Sequence, residues 1–515
     1  MKKLFYNTRE LIYIDEPNIL FGHNQKLQDP RDGLSLFGPY DTIYGINSGV
    51  LATREGLKKF KAFLDSIQKP VYNKDSIKRP MFPGFETVFN AKWETDTILY
   101  KEITKQEIDK FLYHGNTHKR TFDLVSLFTE KIIDMNKNSD KKIDVWFIII
   151  PDDIYQYCKP LSVLPTSLVR EQSLLNKNKA LAFHYEPSFF EEMNKEEKTK
   201  EEEALSYNYD AHFHNQFKAR LLPYTIPTQI IRESTLDWRN YINSFGLPKR
   251  DFSKIEGHLA WTLSTAVFYK AGGKPWILSD IRDGVCYLGL VYKKTNHTSD
   301  PRNACCAAQL FLNSGDGTVF KGEAGPWYNQ DNNEYHLDRD SAKKLLTQAI
   351  NAYRERNDGK NPKELFIHAR TRFDEKEWEA FIEATPIGTN LVGVTISRRE
   401  QMKLYKVKDQ YSILRGLAYI INNYKAYLWT IGFVPYLQTA LSLGLPNPLY
   451  IEINKGNATI EQVLKDILAL TKLNYNACIY GDGEPVTLRF ANNIGEILTA
   501  STDIKSPPLA FKYYI

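Results

Sequence analysis

Cysteine is scarce in this 515-residue chain: Cys158, Cys286, Cys305, Cys306 and Cys478 form an odd set with no C-x-x-C pair. That supports neither a disulfide framework nor a zinc knuckle, and the five read as reduced, buried small residues. Long apolar runs are missing too. The densest, Val145 to Ile150, is far shorter than the roughly 20 residues needed to cross a bilayer, so no membrane span is expected. The start, Met1-Lys2-Lys3-Leu4-Phe5-Tyr6, is basic but lacks the apolar core and small-residue cleavage site of a signal peptide, and a cytoplasmic location follows as the expectation. Neither charge dominates. Lys plus Arg is 67 and Asp plus Glu is 62, a net charge of +5, and the pI near 8.6 lies below the roughly 9 of a uniformly basic nucleic-acid binder. Phosphate binding, if present, must be local. There is no G-x-x-x-x-G-K-[ST] loop and no repeat at a fixed period, and the Gly-rich stretch Gly315 to Gly325 lacks the helix a phosphate-cradling loop should open; this argues against a nucleotide-hydrolysing motor.

What is present is a globular composition, 42% hydrophobic and 25% charged, on a chain long enough for about three domains. The first hundred residues are irregular except for a helix signal from Thr53 to Gln68, where Leu57, Phe60, Leu64 and Ile67 fall at helical spacing behind Thr53 as N-cap. Val145 to Ile150, ending in Pro151-Asp152-Asp153, reads as a doubly buried parallel strand turning into a helix. The run Glu191 to Glu203 is almost wholly Glu and Lys and reads as a solvated helix or surface insertion. A helix is expected around Ala211 to Leu222, an extended stretch over Thr225 to Ile231, and an apolar helix from His258 to Lys270 closed by Gly272 and Gly273. Strands are then expected at Val285 to Tyr292, Glu364 to Ala369, Leu391 to Ile396 and Tyr450 to Ile453. A hairpin through Gly315-Asp316-Gly317 and helices at Ser341 to Glu355 and Ile460 to Leu473 complete a second α/β layer fold.

Four residues are spaced for anion chemistry. His214 and Lys218 lie at i and i+4 and emerge on one helix face; Gln229 follows a Pro-flanked turn; Lys270 occupies the last turn of the apolar helix. A terminal phosphate favours several Lys-type donors plus a neutral amide over any single residue. The bland alternatives stay open at this point, because H-x-x-x-K is common and a Lys before a helix-ending Gly is well explained by the macrodipole. The carboxylate pairs Asp152/Asp153, Asp338/Asp340 and Asp482/Glu484 sit at turns or helix starts and read as caps and turn formers.

Several phrases, in order, resemble the short prokaryotic Argonautes: Asp29-Pro30-Arg31-Asp32-Gly33-Leu34 with Phe37-Gly38-Pro39, Pro227-Thr228-Gln229, Lys270-Ala271-Gly272-Gly273-Lys274-Pro275-Trp276, and His368-Ala369-Arg370-Thr371-Arg372-Phe373. The terminal Arg489-Phe490-Ala491-Asn492 and Leu509-Ala510-Phe511-Lys512-Tyr513-Tyr514-Ile515 do so as well. The branch most similar is the one that pairs with a TIR-APAZ protein. The resemblance implies an α/β architecture: a Rossmann-like MID domain and an RNase H-like PIWI domain, without the N and PAZ domains of long Argonautes. The expected division is a lead-in over 1–105 packing on MID and PIWI, MID over 106–275 and PIWI over 276–515.

It also implies that His214, Lys218, Gln229 and Lys270 hold the 5′-phosphate of a guide. The carboxylate of Ile515 is implied to help hold a Mg²⁺ ion that bridges guide phosphates. Long Argonautes commonly place Tyr where His214 stands, and a second Lys where this chain has Ala266. Members that cut carry acidic residues at three places where this chain has Val291, Arg370-Thr371-Arg372 and Phe490-Ala491-Asn492-Asn493. Neutral or cationic groups there cannot hold the two metal ions of RNase H chemistry, so the chain itself is expected not to be an enzyme. Arg370, Arg372 and Arg489 are candidates for contacting the guide–target backbone, with ordinary ion pairing as the alternative. The implied partners are a small guide RNA, complementary single-stranded DNA and a TIR-APAZ protein forming a heterodimer. A tetramer of heterodimers is implied on target binding, with NAD(P) hydrolysis by the partner in defence against plasmids or phage. Nothing in this sequence encodes an NAD site. A sirtuin-like or nuclease effector in place of TIR, or guide-directed cleavage by this chain, are the rival readings.

Overall fold

The apolar run folds as expected. In this computed structural model, which describes residues 10–72, 81–176, 178–180, 195–237, 252–294, 303–312, 315, 317–398, 402–405, 411–441, 444–501 and 509–515, Val145–Ile150 is a strand with every residue buried. Its neighbours are Ser48–Ala52 on one side and Thr228–Arg232 on the other, both parallel to it. Leu99–Glu102 completes a four-stranded all-parallel sheet beyond Ser48–Ala52. Alternate side chains of the central strand serve two cores, as the period of two demands. Phe147 and Ile149 join Phe60, Leu64, Trp261 and Val267. Trp146, Ile148 and Ile150 join Leu124, Phe128, Phe213 and Phe217. Helices Arg54–Ile67 and Phe252–Lys270 therefore cover one face, and Thr117–Asn138 and Phe213–Leu221 the other.

The second sheet has ten strands. Across it run Glu10–Tyr13, Leu417–Asn422, Lys425–Leu428, Leu449–Lys455, Asn390–Arg398, Glu364–Ala369, Val285–Lys294, Ala304–Leu312, Gly317–Gly325 and Leu509–Ala510. Glu364–Ala369 is parallel to both its neighbours, whereas the other pairings are antiparallel. Helices Arg339–Glu355 and Glu375–Ala384 bury one face with Leu288, Leu345 and Trp378. Ile460–Leu470 and Ala491–Leu498 bury the other with Tyr287, Val291 and Ile494. The expected strands and helices of this half all form, Glu364–Ala369 with the expected ends and the others with ends shifted by at most three residues; of the hairpin turn, Asp316 lies outside the described residues.

Two expectations need correction. The first hundred residues are not irregular outside the helix behind Thr53: the described ones supply two of the four strands of the smaller sheet as well as helix Arg54–Ile67, and the edge strand Glu10–Tyr13 of the larger sheet. Ser48-Gly49-Val50-Leu51-Ala52 is too short and Gly-rich to show a strand period, and Leu99-Tyr100-Lys101-Glu102 is half polar because it is an edge. The Glu/Lys run is not wholly solvated either. Within helix Lys195–Ser206, Glu203 is 1% exposed and accepts from the Leu174 and Leu175 amides and from Asn116 Nδ2. Asn116 in turn caps helix Thr117–Asn138, so one acid of the run serves as a fastener. Residues 191–194 of that run lie outside the described residues. Cys158, Cys286, Cys306 and Cys478 are reduced and buried, as expected.

Buried polar contacts fasten the segments beside the large sheet. Glu16 meets Arg415 at 2.9 Å and Lys472 at 2.5 Å in the interior. Burial opposes ionisation of Glu16, but the two cations outweigh it and its pKa is lowered. Trp276, fully buried, donates Nε1–H to the Lys472 carbonyl at 2.9 Å, and Tyr475 Oη donates to the Trp276 carbonyl at 2.7 Å. Trp276→Ala should therefore lower unfolding free energy by about 3–5 kcal/mol, the usual cost of emptying a buried aromatic site, read as a smaller urea midpoint at unchanged slope.

Candidate functional site

Helix Phe213–Leu221 starts where the Phe213 amide is tied to the Cys158 carbonyl at 2.9 Å. His214 and Lys218 then share its inner face. Lys218 is 3% exposed and its Nζ donates to the main-chain oxygens of Thr228 at 2.7 Å and Ile515 at 2.8 Å. Lys270 reaches the same point from the end of helix Phe252–Lys270, donating to Thr228 O at 3.1 Å and Gln229 Oε1 at 2.5 Å. Thr228 opens the edge strand of the smaller sheet, and its carbonyl points away from the ladder, which is why two ammonium groups can share it. A glycine pair fixes Lys270. Gly272 has φ +108°, and a Cβ on Gly273, whose amide bonds back to the Phe268 carbonyl, would lie 2.4 Å from the Phe268 ring. Ile515 is delivered by Leu509–Ala510, the last edge strand of the large sheet, and by a 3₁₀ turn anchored on buried Phe511.

The structure thus brings together all four residues spaced for anion binding, with Ile515 beside them. Their electrostatics are unusual. Burial pushes Lys218 down to about 7 and Lys270 well below its ordinary value, and Lys218 lowers Lys270 further. Burial, with Lys218 next, pushes His214 down to about 3, so its ring is neutral. Among the described residues neither lysine has a carboxylate side chain within ion-pair distance. An ammonium has three N–H donors; each lysine uses two on neutral or main-chain oxygens. Alongside lies a cavity of about 400 Å³ lined by His212, His214, Gln229, Arg232, Tyr155 and Leu263 among others. The Arg232 guanidinium lies 4.4 Å over the Tyr155 ring, and among the described residues the buried His212 Nδ1 has no hydrogen-bond partner. Neither Arg232 nor Tyr155 carries a spacing signal, and the Thr228 carbonyl is main chain, so sequence reasoning missed all three.

A resident magnesium ion fits this donor set poorly. The oxygens of Ile515, Thr228 and Gln229 that face the site already accept from ammonium groups, and among the described residues no group of three or more His, Cys, Asp or Glu side chains is placed to hold a metal.

No protein-family model matches the chain, and no curated protein does. Solved structures do match. A Clostridium butyricum Argonaute bound to a guide DNA and a 19-mer target DNA superposes with TM-score 0.62 at 16% identity, over 97% of this chain and 55% of that one. An Aquifex aeolicus Argonaute crystal structure gives 0.53 at 14% identity, over 98% and 54%; a structure of Aa-Ago with externally bound siRNA gives 0.54 at 14%, over 99% and 56%. The chain has an Argonaute-like fold. It spans about 55% of the length of the first of these Argonautes.

The remaining sequence candidates sit at the carboxyl edge of the large Argonaute-like sheet. Arg370 pairs through both Nη with Glu484 at 2.9 Å, Arg372 with Glu452 at 2.8 Å and Arg489 with Asp482 at 2.8 Å. The ion-pairing alternative is therefore realised for all three, and Asp482 and Glu484 are arginine partners rather than simple turn formers. Asp338 does cap its helix, accepting from the Ser341 amide at 2.8 Å, whereas Asp152 takes the Ser234 amide at 3.1 Å. Val291 is buried under helix Ala491–Leu498, while Asn492 and Asn493 are exposed.

Lys218 gives the site a pH signature. Its folded pKa, about 7, lies below the unfolded 10.5, so between those values the unfolded chain binds more protons and the lysine's contribution to stability rises with pH. Anion binding runs the other way, because it needs the charged form. Inorganic phosphate should raise the melting temperature more at pH 6.5 than at pH 9, and Lys218→Met should remove that difference.

Proposed function

We propose that this chain is the recognition subunit of a short prokaryotic Argonaute system. It holds the 5′-phosphate of a small guide RNA with Lys218, Lys270, Gln229 and His214 and presents the guide to complementary single-stranded DNA. The observation that carries this reading is the pair of buried lysines with spare N–H donors and, among the described residues, no acidic side chain beside them: desolvated cations of this kind are costly unless an anion completes them. A terminal phosphate, with close to two negative charges and several acceptor oxygens, suits both spare donors at once. The adjoining cavity, with its Tyr155–Arg232 stack, is of a size and polarity for the first nucleotide. The Argonaute-like fold supports a guide-directed role. On this reading the neutral His214 donates or accepts a hydrogen bond rather than supplying charge, and the lysines carry the electrostatic load. No step is assigned to magnesium.

Target cleavage is not part of the proposal. Val291, Arg370-Thr371-Arg372 and Asn492 offer no carboxylates for a two-metal centre, and the ordered sequence phrases favour a partner that combines APAZ and TIR regions. Target pairing would promote the heterodimers' assembly into a higher oligomer, such as a tetramer of heterodimers, and the partner would then hydrolyse NAD(P).

Two measurements test this. Lys218→Ala or Lys270→Ala should weaken binding of a 5′-phosphorylated guide by about 1.5–3 kcal/mol, the worth of a charge-assisted hydrogen bond, and a 5′-hydroxyl guide should bind the wild type more weakly than the phosphorylated one. Equal binding of the two guides to wild type would contradict the pocket assignment. Purified with the protein encoded beside it, the guide-loaded chain should consume NAD only when complementary DNA is added. Loss of target without loss of NAD would instead indicate a nuclease.

A further inference from the structure

Arg370 and Arg398 leave the large sheet side by side. Arg370 follows strand Glu364–Ala369, Arg398 ends strand Asn390–Arg398, and the two strands are parallel neighbours, so both side chains emerge at one edge. Between them stands Glu484, in the loop that precedes helix Val486–Arg489. Its carboxylate is buried, 7% exposed, whereas the two arginine side chains are 40% and 59% exposed. Oε1 accepts from Arg370 Nη1 and from Arg398 Nε, each at 2.9 Å, and Oε2 accepts from Arg370 Nη2 at 2.9 Å. The loop that carries Glu484 is itself held, because Thr430 Oγ1 donates to the Gly483 carbonyl at 2.7 Å. One buried acid thus holds two cations, a local excess of one positive charge. Among the described residues the Arg370 Nε–H and the Nη groups of Arg398 have no protein acceptor. Glu452 repeats the arrangement nearby, holding Arg372 at 2.8 Å and Lys425 at 3.5 Å.

A surface ion pair formed only for stability would gain little here, since exposed pairs are worth about 0–1 kcal/mol. A buried acid with two exposed arginines does something different: it removes their rotamer freedom and fixes which N–H groups face outward. From this juxtaposition we infer that Glu484 is a positioning residue that aims Arg370 and Arg398 at successive phosphates of the guide–target duplex. The inference rests on the proposed guide-binding role. It adds that backbone contact at this edge depends on an acidic residue, against the sign expected from charge alone.

The sign makes it testable. Binding of a duplex formed by a 5′-phosphorylated RNA guide and complementary DNA would be measured against salt for wild type, Glu484→Gln and the double variant Arg370→Lys/Arg398→Lys. Charge counting predicts that Glu484→Gln, more positive by one, binds as tightly or more tightly with a steeper salt dependence. Positioning predicts roughly tenfold weaker binding and a log K against log salt slope reduced by about one to two, the loss of one or two phosphate contacts. The lysine double variant keeps the charge, loses the forked geometry, and is expected to show the same loss; it also decides the matter should Glu484→Gln fail to fold. Duplex binding by the folded variants equal to or tighter than wild type overturns the inference. Preference of the wild type for 5′-phosphorylated over 5′-hydroxyl guide, measured in parallel, reports separately on the guide-pocket reading.

Discussion

The ammonium of Lys218 is the point on which the two halves of this molecule depend. It stands where a strand of the parallel sheet begins, at Thr228, and where the chain arriving from the edge of the ten-stranded sheet ends its path, at Ile515. Removing a lysine from water is expensive, and two main-chain oxygens return only part of that cost. The molecule keeps this expense in one place and avoids it elsewhere. Arg415 and Lys472, equally buried, share the carboxylate of Glu16. Arg120 has no acid, yet all its donors are used by the oxygens of Tyr157, His114, Gly115 and Ser162. Among the described residues Lys218 and Lys270 have no acidic side chain beside them and each keeps a spare donor, which is what supports the proposal of an incoming anion there.

That contrast also separates the two kinds of cation in the protein. At the lysine pocket the positive groups are buried with no acidic side chain beside them among the described residues, so on the proposed reading the ligand brings the countercharge. At the edge of the large sheet the arginines are exposed and already paired with Glu484, Glu452 and Asp482. A ligand there exchanges water for N–H groups that face outward, with little desolvation to recover. The first arrangement suits one tightly held terminal group and the second a passing backbone, in keeping with the rule that phosphate contacts position while base pairing specifies.

Much of this was legible in the sequence, for identifiable reasons. The six-residue run from Val145 could only be a strand buried on both faces, and Thr53 ahead of four apolar residues at helical spacing does cap Arg54–Ile67, accepting from the Gly56 amide. His214, Lys218 and Lys270 were readable because i,i+4 geometry and a glycine stop are local signals. What escaped was non-local. Ser48–Ala52 and Leu99–Glu102 have no period of their own and become strands because Val145–Ile150 offers them a partner. Glu484 looked like a turn former since its arginines lie 114 and 86 residues away, and Glu203 looked solvated because nothing in a Glu/Lys run distinguishes the one acid that faces inward.

The same non-locality explains why filling the pocket would be felt beyond it. The spare N–H of Lys218 shares its nitrogen with the two bonds already made, one of which holds Ile515, so on the proposed reading an anion there is linked to Ile515 through a single atom. Ile515 follows directly on the turn packed by Phe511, whose ring lies 5.2 Å from that of Phe490 at the head of helix Ala491–Leu498. That helix covers Val291 and carries Glu496, which reaches both Asn215 in the pocket helix and Lys293 on the sheet. A ligand that binds the ammonium more tightly in one setting of this chain of contacts than in another would shift the balance between them by that difference in affinity and no more. The path is short, continuous and packed throughout. On the proposed reading, it makes the guide's terminal phosphate a structural element of both halves rather than a cargo of one.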